Sequence, residues 1–362
     1  MSKRTPFYSQ HIALGAKMVE FAGFEMPVHY SGIIEEHLAV RRSAGVFDVS
    51  HMGEISVRGK GALSFLQKVT INDVARLKPG RVQYTAMCYE DGGIIDDLLI
   101  YRMENQYILV VNASNVQKDF DSLQAQKSGD VELENVSDAT AQLAVQGPQS
   151  MAVLQKLTKV NLSKIEYYAF VQGELAGVSM LISRTGYTGE LGFEIYFDAD
   201  IETAKKIWDA VFHAGKEFGI QPVGLGARDT LRTEMGFCLY GNDIDNTTNP
   251  LEAGLGWITK LSKKEFNGRN SLLKVREEGL KRKLIGLTLP DRTLARHGYE
   301  ITNKGSIVGR VTSGTFSPSL NKGIGMGYVV AGLATVGNII SVRVRGSEIP
   351  ATIVVMPFLQ NH

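Results

Sequence analysis

Two adjacent carboxylates, Asp96 and Asp97, interrupt the run Ile94-Ile95-Asp96-Asp97-Leu98-Leu99-Ile100-Tyr101, which otherwise reads as a β-strand. Side chains alternate across a strand. Asp96 therefore shares a face with Ile94, Leu98 and Ile100, and Asp97 shares the other with Ile95, Leu99 and Tyr101. At most one face is ordinary solvent, so at least one carboxylate lies against apolar neighbours. An unpaired buried charge is costly, and such an Asp needs a donor or a cationic ligand. The alternative is an edge strand with both carboxylates wet, or one of them capping a nearby helix. Asp91-Gly92-Gly93 ahead of the run gives a tight reversal, because Gly accepts positive φ without a steric penalty.

Other charged groups stand in unusual company. Glu194 lies inside the apolar strand Phe193 to Phe197, and Arg228 and Arg232 flank Leu231 on one side of a helix beginning near Gly224. Snorkelling onto the surface is the simpler reading of those two cations. His29 and His37, with Glu35 and Glu36 between them, are read as the exposed ends of a helix rather than as metal ligands. Asp243-Ile244-Asp245 lacks the downstream Gly and Glu of a calcium loop. There is no GxSxG, no HExxH, no paired CxxC and no phosphate-cradling loop ending in Lys-Ser/Thr. Gly224-Leu225-Gly226 is not followed by the β-α-β unit of a dinucleotide site.

The elements that must position these groups follow from periodicity. A helix capped by Ser31, with Ile34 and Leu38 on one face, ends near Gly45. From about residue 51 to 134 the order is β-α-β-β-β-α-β, with the Asp96-Asp97 strand in a hairpin with Val82-Tyr84-Ala86. Strands at Leu143-Val145, Val178 to Ser183 and Phe193 to Phe197 precede an amphipathic helix bearing Ile207, Trp208, Val211 and Phe212. Residues from about 241 to 275 read as a long ordered connection, and helical periodicity is absent beyond them, as in an all-β domain. With 362 residues, two or three domains are expected. A formal net charge of +1 gives no overall basic excess for nucleic acid, and no apolar run approaches the ~18 residues of a membrane span. Cys88 and Cys238 imply no disulfide framework, and the N-terminus has no signal or transit pattern, so a cytoplasmic protein is expected.

Several of these stretches together are similar to one family. Gly92-Gly93-Ile94-Ile95-Asp96-Asp97-Leu98, Ser183-Arg184-Thr185-Gly186-Tyr187-Thr188-Gly189-Glu190 and Gly226-Ala227-Arg228-Asp229-Thr230-Leu231-Arg232 resemble the T-protein family of the glycine cleavage system, the aminomethyltransferases. Phe47-Asp48-Val49-Ser50-His51-Met52-Gly53 and Val311-Thr312-Ser313-Gly314 match as well, so the resemblance spans essentially the whole chain. It implies an α+β fold of three domains around a central channel that binds tetrahydrofolate. Two α+β domains with mainly antiparallel sheets are joined by a C-terminal all-β, barrel or jelly-roll-like domain. On this chain the division falls at 1–50 with 135–240, 51–134, a connection 241–274, and 275–362.

The implied reaction moves a methylene from an aminomethyl group on the lipoyl arm of H-protein to tetrahydrofolate, with release of ammonia. Tetrahydrofolate is then a co-substrate, H-protein the partner, and no metal, prosthetic group, nucleic acid or membrane is involved. Asp97 matches the family's key aspartate. A carboxylate in a poorly solvated channel stabilises an iminium and orients the amine, and it is a weak base at neutral pH, so electrostatics and positioning are expected to dominate. Glu194 and Arg228 match folate contacts, while Met52, Tyr84, Asn112 and Tyr187 fit the channel lining. Phe237 stands where many relatives carry Tyr, and the tail from Met356 to His362 lacks the basic or aromatic ending of some. The alternatives are another folate-dependent one-carbon transferase or demethylase, or a folate-binding accessory protein of iron–sulfur assembly. The Lys-Gly-Cys motif of that last group is absent here, as is a fused flavin domain.

Overall fold

The reversal at the glycine pair is set by backbone geometry. In the computed structural model, which describes residues 2–359, Gly92 takes φ +90, and Gly92 N donates to Tyr89 O at 3.0 Å. A Cβ on Gly93 would stand 2.2 Å from the carbonyl oxygen of Asn246, so no larger residue fits. The turn joins strands Arg81–Cys88 and Ile94–Arg102 as neighbours. The sheet continues through Tyr107–Val111, Gly53–Arg58 and Glu132–Asn135, antiparallel from Ile94–Arg102 onward. With helices Ala62–Val69 and Val116–Gln126, the sequence order is the expected β-α-β-β-β-α-β. The last three residues of the tail, 360–362, lie outside the described residues.

The chain forms two compact units, and both strands of that hairpin run from one into the other. The first comprises Met1–Phe65, Val74–Tyr84 and Leu98–Asp229. Its six-stranded sheet has the order Phe170–Leu175, Val178–Ser183, Gly192–Asp198, Thr140–Gln146, Gly45–Asp48 and Gln221–Pro222, antiparallel except for the last pair. Phe193, Ile195 and Phe197 point into a core shared with Trp208 and Val211 of helix Ile201–Gly215. The alternation therefore sends Glu194 and Tyr196 to the opposite face. Asp200 starts the helix by accepting from Thr203 N at 2.8 Å.

The second unit comprises Leu66–Asp73, Thr85–Asp97 and the chain from Thr230 onward. Six antiparallel strands close a barrel in the order Arg282–Thr288, Lys322–Val330, Ser306–Ser317, Glu300–Asn303, Ile339–Val344 and Ser347–Val354. Closure removes the exposed edges that an open sheet would present.

Four expectations from the sequence are corrected here. Helix Ile33–Arg42 is not capped by Ser31: Gly32 holds the cap position, and Ile34 is 44% exposed. The helix instead buries Glu36, whose carboxylate accepts from the backbone N–H groups of Tyr30, Gly32 and Gly224. His37 is buried on that same side rather than exposed. Arg232 does not snorkel, because it is fully buried on a partner, Asp243. The segment read as a connection contains a helix, Arg269–Glu278, which also runs past residue 275; its charged sequence hid the buried Leu272.

Candidate functional site

The loop after strand Val178–Ser183 is shaped around one glutamine. Gln146 Nε2 donates to Thr185 O at 3.1 Å, and Thr188 Oγ1 donates to Gln146 Oε1 at 2.9 Å. A Cβ on Gly186 or Gly192 would come within 2.0 or 2.3 Å of that amide, so both positions must be glycine for the loop to wrap it. Arg41 closes the loop from outside, donating to Thr188 O at 2.6 Å and pairing with Glu190 at 3.0 Å. The fixed loop presents Thr185 and Tyr187.

Glu194 is the acceptor at the centre of this part of the first unit. It is buried; Thr185 Oγ1 donates to its Oε2, and Gln142 Nε2 donates to Oε1 at 3.2 Å. Gln142 Nε2 also lies 3.0 Å from Tyr196 OH, which is 2.9 Å from Tyr101 OH. Burial raises the Glu194 carboxyl above the usual range, opposed by Thr185, by the nearby Arg228 charge and by Gln142. Each carboxylate oxygen retains a lone pair, so the group can still accept an adjacent pair of ligand N–H donors.

Arg228 sits in the first turn of helix Leu225–Glu234, half-buried, with its guanidinium 4.8 Å from the centre of the Tyr187 ring. Its charge also reaches His51, whose ring is buried and held down to about 4, mainly by burial and then by Arg228. The His51 imidazole is therefore neutral at neutral pH. Met52 packs against the cluster of Tyr101, Val110 and Tyr196. Asn112 follows strand Tyr107–Val111 at the start of a short 3-10 turn, and Tyr84 is half-buried on Arg81–Cys88. The structure thus brings Glu194, Arg228 and Tyr187 together, with Met52 on the tyrosine cluster that shares Gln142 with Glu194.

Asp96 and Asp97 lie in the second unit and differ as alternation requires. Asp96 is fully buried among the apolar face, while Asp97 is partly exposed. The thiol of Cys238 is pushed up by burial and by the charges of Asp243 and Asp97, which puts Asp97 in electrostatic range of it. The partner of Arg232 is Asp243 at 2.7 Å, which also accepts from Thr312 Oγ1, Ser313 Oγ and Leu239 N. These contacts account for Val311-Thr312-Ser313-Gly314 as a structural motif.

Gln142, Thr185, Tyr196, His51 and Glu54 were not singled out from the sequence as site residues. One of them carried a signal: Glu54 is a carboxylate inside an apolar strand, the pattern that drew attention to Asp96 and Asp97. Among the described residues, no cluster of His, Cys, Asp and Glu could hold a metal ion, and no helix is long and apolar enough to cross a membrane.

Comparison with known proteins adds independent findings. The family model described as the GCVT N-terminal domain matches residues 7–263, and that of the glycine cleavage T-protein C-terminal barrel domain matches 282–360. An aminomethyltransferase of Bacteroides fragilis is 58% identical over 360 residues, covering 98% of this chain and 99% of its own length. One from Halothermothrix orenii is 53% identical over 358 residues, covering 99% and 100%. Among solved structures, the glycine cleavage system aminomethyltransferase T of Bartonella henselae superposes with a TM-score of 0.92 at 35% identity, covering 99% of this chain and 98% of that one.

Proposed function

Because the chain belongs to the glycine cleavage T-protein family and is an aminomethyltransferase, we propose that it moves a methylene from aminomethylated lipoyl H-protein to tetrahydrofolate. Two folate nitrogens each lose a proton and gain a bond to the methylene carbon, while that carbon's bonds to nitrogen and sulfur break. The products are 5,10-methylenetetrahydrofolate, ammonia and dihydrolipoyl H-protein.

The observation that carries the folate assignment is the buried Glu194 carboxylate, already donor-oriented by Thr185 and Gln142, with Arg228 and the Tyr187 ring beside it. A pterin edge offers adjacent N–H and amino donors that a carboxylate accepts as a pair, and its flat ring suits aromatic stacking. Arg228 offers a planar fork to a carbonyl or carboxylate of the same ligand. Met52, Tyr84, Asn112 and Tyr187 complete the folate-binding set in this reading.

Asp97 is the catalytic residue of the proposal. Its partial exposure, beside the sealed Asp96, leaves it able to meet a ligand. Its carboxylate stabilises the iminium that forms as ammonia departs and orients the attacking amine. The reading carries with it a cytoplasmic location and a reaction without metal or tightly bound prosthetic group. It also keeps the division into 1–50 with 135–240, 51–134, the connection 241–274 and 275–362, supported by the six-stranded sheet, the five-stranded sheet and the closed barrel, with helix Arg269–Glu278 running across the last boundary.

The test mixes the protein with tetrahydrofolate and aminomethylated lipoyl H-protein and measures ammonia and methylenetetrahydrofolate. Both are expected in equal amounts; neither product would overturn the reading. Asp97→Asn, which keeps the shape and removes the charge, is expected to lose most turnover, and a fully active variant would remove Asp97 from the catalytic role.

A further inference from the structure

A second carboxyl close to Glu194 has no structural explanation in the protein alone. Glu54, on strand Gly53–Arg58, is 2% exposed, and among the described residues neither of its carboxyl oxygens has a hydrogen-bond partner. Its backbone is satisfied independently: Glu54 N donates to Ser137 Oγ at 2.9 Å, and Glu54 O accepts from Val136 N at 2.9 Å. The side chain is therefore free of any capping or strand-fixing duty. It shares a sheet face with Val110, its cross-strand neighbour, and Val110 belongs to the cluster that includes Tyr101 and Tyr196, against which Met52 packs. Gln142 Oε1, on the amide whose nitrogen donates to Glu194, is buried without a partner as well.

A buried polar group without a partner destabilises the fold relative to an apolar side chain of similar size. Here one such group is the amide oxygen of the glutamine that donates to Glu194, and the other lies within electrostatic range of Glu194, a residue already assigned to the ligand. We propose that Glu54 is a second carboxyl of the folate ring site, donating through its O–H to an acceptor of the pterin while Glu194 accepts from adjacent N–H groups. A pterin edge alternates donors and acceptors, so one ionised and one neutral carboxyl match it better than two of either kind. Burial and the nearby Glu194 charge both hold the Glu54 proton well above the usual carboxylate range, which supplies the neutral member.

This inference rests on the reading of Glu194 as a folate contact, and the test separates the two. Glu54→Leu, Glu54→Gln and Glu194→Gln are compared by thermal melting, by titration with tetrahydrofolate, and by steady-state kinetics with aminomethylated H-protein. Glu54→Leu is expected to melt no lower than the parent, to weaken tetrahydrofolate binding about tenfold or more, and to raise KM for folate while leaving kcat at saturating folate nearly unchanged. Glu54→Gln, whose amide both donates and accepts, is expected to bind within about threefold of the parent. A folded Glu54→Leu that binds folate like the parent overturns the inference, whether the pocket then holds water or nothing. Glu54→Gln losing as much as Glu54→Leu overturns the neutral-donor role, and if Glu54→Leu fails to fold, a tenfold loss in Glu54→Gln does so alone. Unchanged folate affinity in Glu194→Gln would instead defeat the underlying reading, whatever the Glu54 variants show.

Discussion

The guanidinium of Arg232 lies 2.7 Å from the carboxylate of Asp243, and neither side chain is more than 2% exposed. Consecutive residues, Thr312 and Ser313, both donate to that one carboxylate. A regular strand would send them to opposite faces; the ladder shifts register between Val311 and Ser313, and this bulge turns both hydroxyls the same way. Arg232 Nη2 adds a contact to Ser313 Oγ at 2.8 Å, so helix Leu225–Glu234 is anchored at its C-terminal end.

Removing one member of this pair leaves an uncompensated buried charge. Arg232→Met and Asp243→Leu are each expected to cost about 3–5 kcal/mol, and the double variant much less than their sum. Urea unfolding of the three variants measures it. Additive losses would mean that the two side chains do not act as a pair.

His51 makes stability depend on pH. Its folded value is about 4 against 6.5 for an ordinary histidine, so between those values the unfolded chain binds a proton that the folded chain refuses. Stability from this residue is complete above about pH 6.5 and falls as pH drops toward 4, by about 3 kcal/mol over the window. Glu54, raised by burial and Glu194, works with the opposite sign, losing its contribution as pH rises. The difference between the parent and His51→Gln therefore isolates the histidine. Unfolding midpoints across pH 4.5–6.5 are expected to be flatter in the variant, and parallel curves would rule the role out.

The loop around Gln146 gives a packing test. Gly186→Ala puts a methyl group 2.0 Å from Gln146 Oε1, and the amide cannot retreat without giving up Thr185 O or Thr188 Oγ1. A loss of about 1–3 kcal/mol is expected. Adding Gln146→Ala to make room is expected to recover part of the packing term but none of the loop's hydrogen bonds. Circular dichroism melts and tetrahydrofolate titration of the single and double variants check this.

Elements whose pattern depends on local alternation were legible in the sequence. The hairpin at Gly92-Gly93, the strand Val178–Ser183 and the contrast between Asp96 and Asp97 all follow from period-two reasoning. What stayed hidden depends on partners distant in sequence. Glu36 meets Gly224 N across 188 positions, and Arg232 meets Ser313 across 81. No local period announces either contact, so periodicity gives helix Ile33–Arg42 the wrong inner face and leaves Arg232 at the surface. Gln142 and Tyr196 were missed for a related reason. Both are ordinary strand residues until the sheet register, Tyr196 opposite Gln142, brings them beside Glu194.

The sharpest test of the site separates its two substrates. Glu194 and Arg228 are assigned to folate, Glu194 through donors it accepts and Arg228 through its planar fork over Tyr187. Glu194→Gln exchanges an acceptor for a group that presents N–H to the ligand's own N–H, and Arg228→Ala leaves a polar ligand group unpaired. Each is expected to cost about 1–3 kcal/mol of binding, a loss of roughly tenfold or more in folate affinity. Glu194 is buried and Arg228 half-buried, so neither offers much surface to a protein partner, and association with H-protein is expected to stay nearly unchanged. Calorimetric titration of each variant with tetrahydrofolate and, separately, with lipoyl H-protein reads the split directly. Equal losses for both ligands would mean that these side chains hold the fold together rather than the folate.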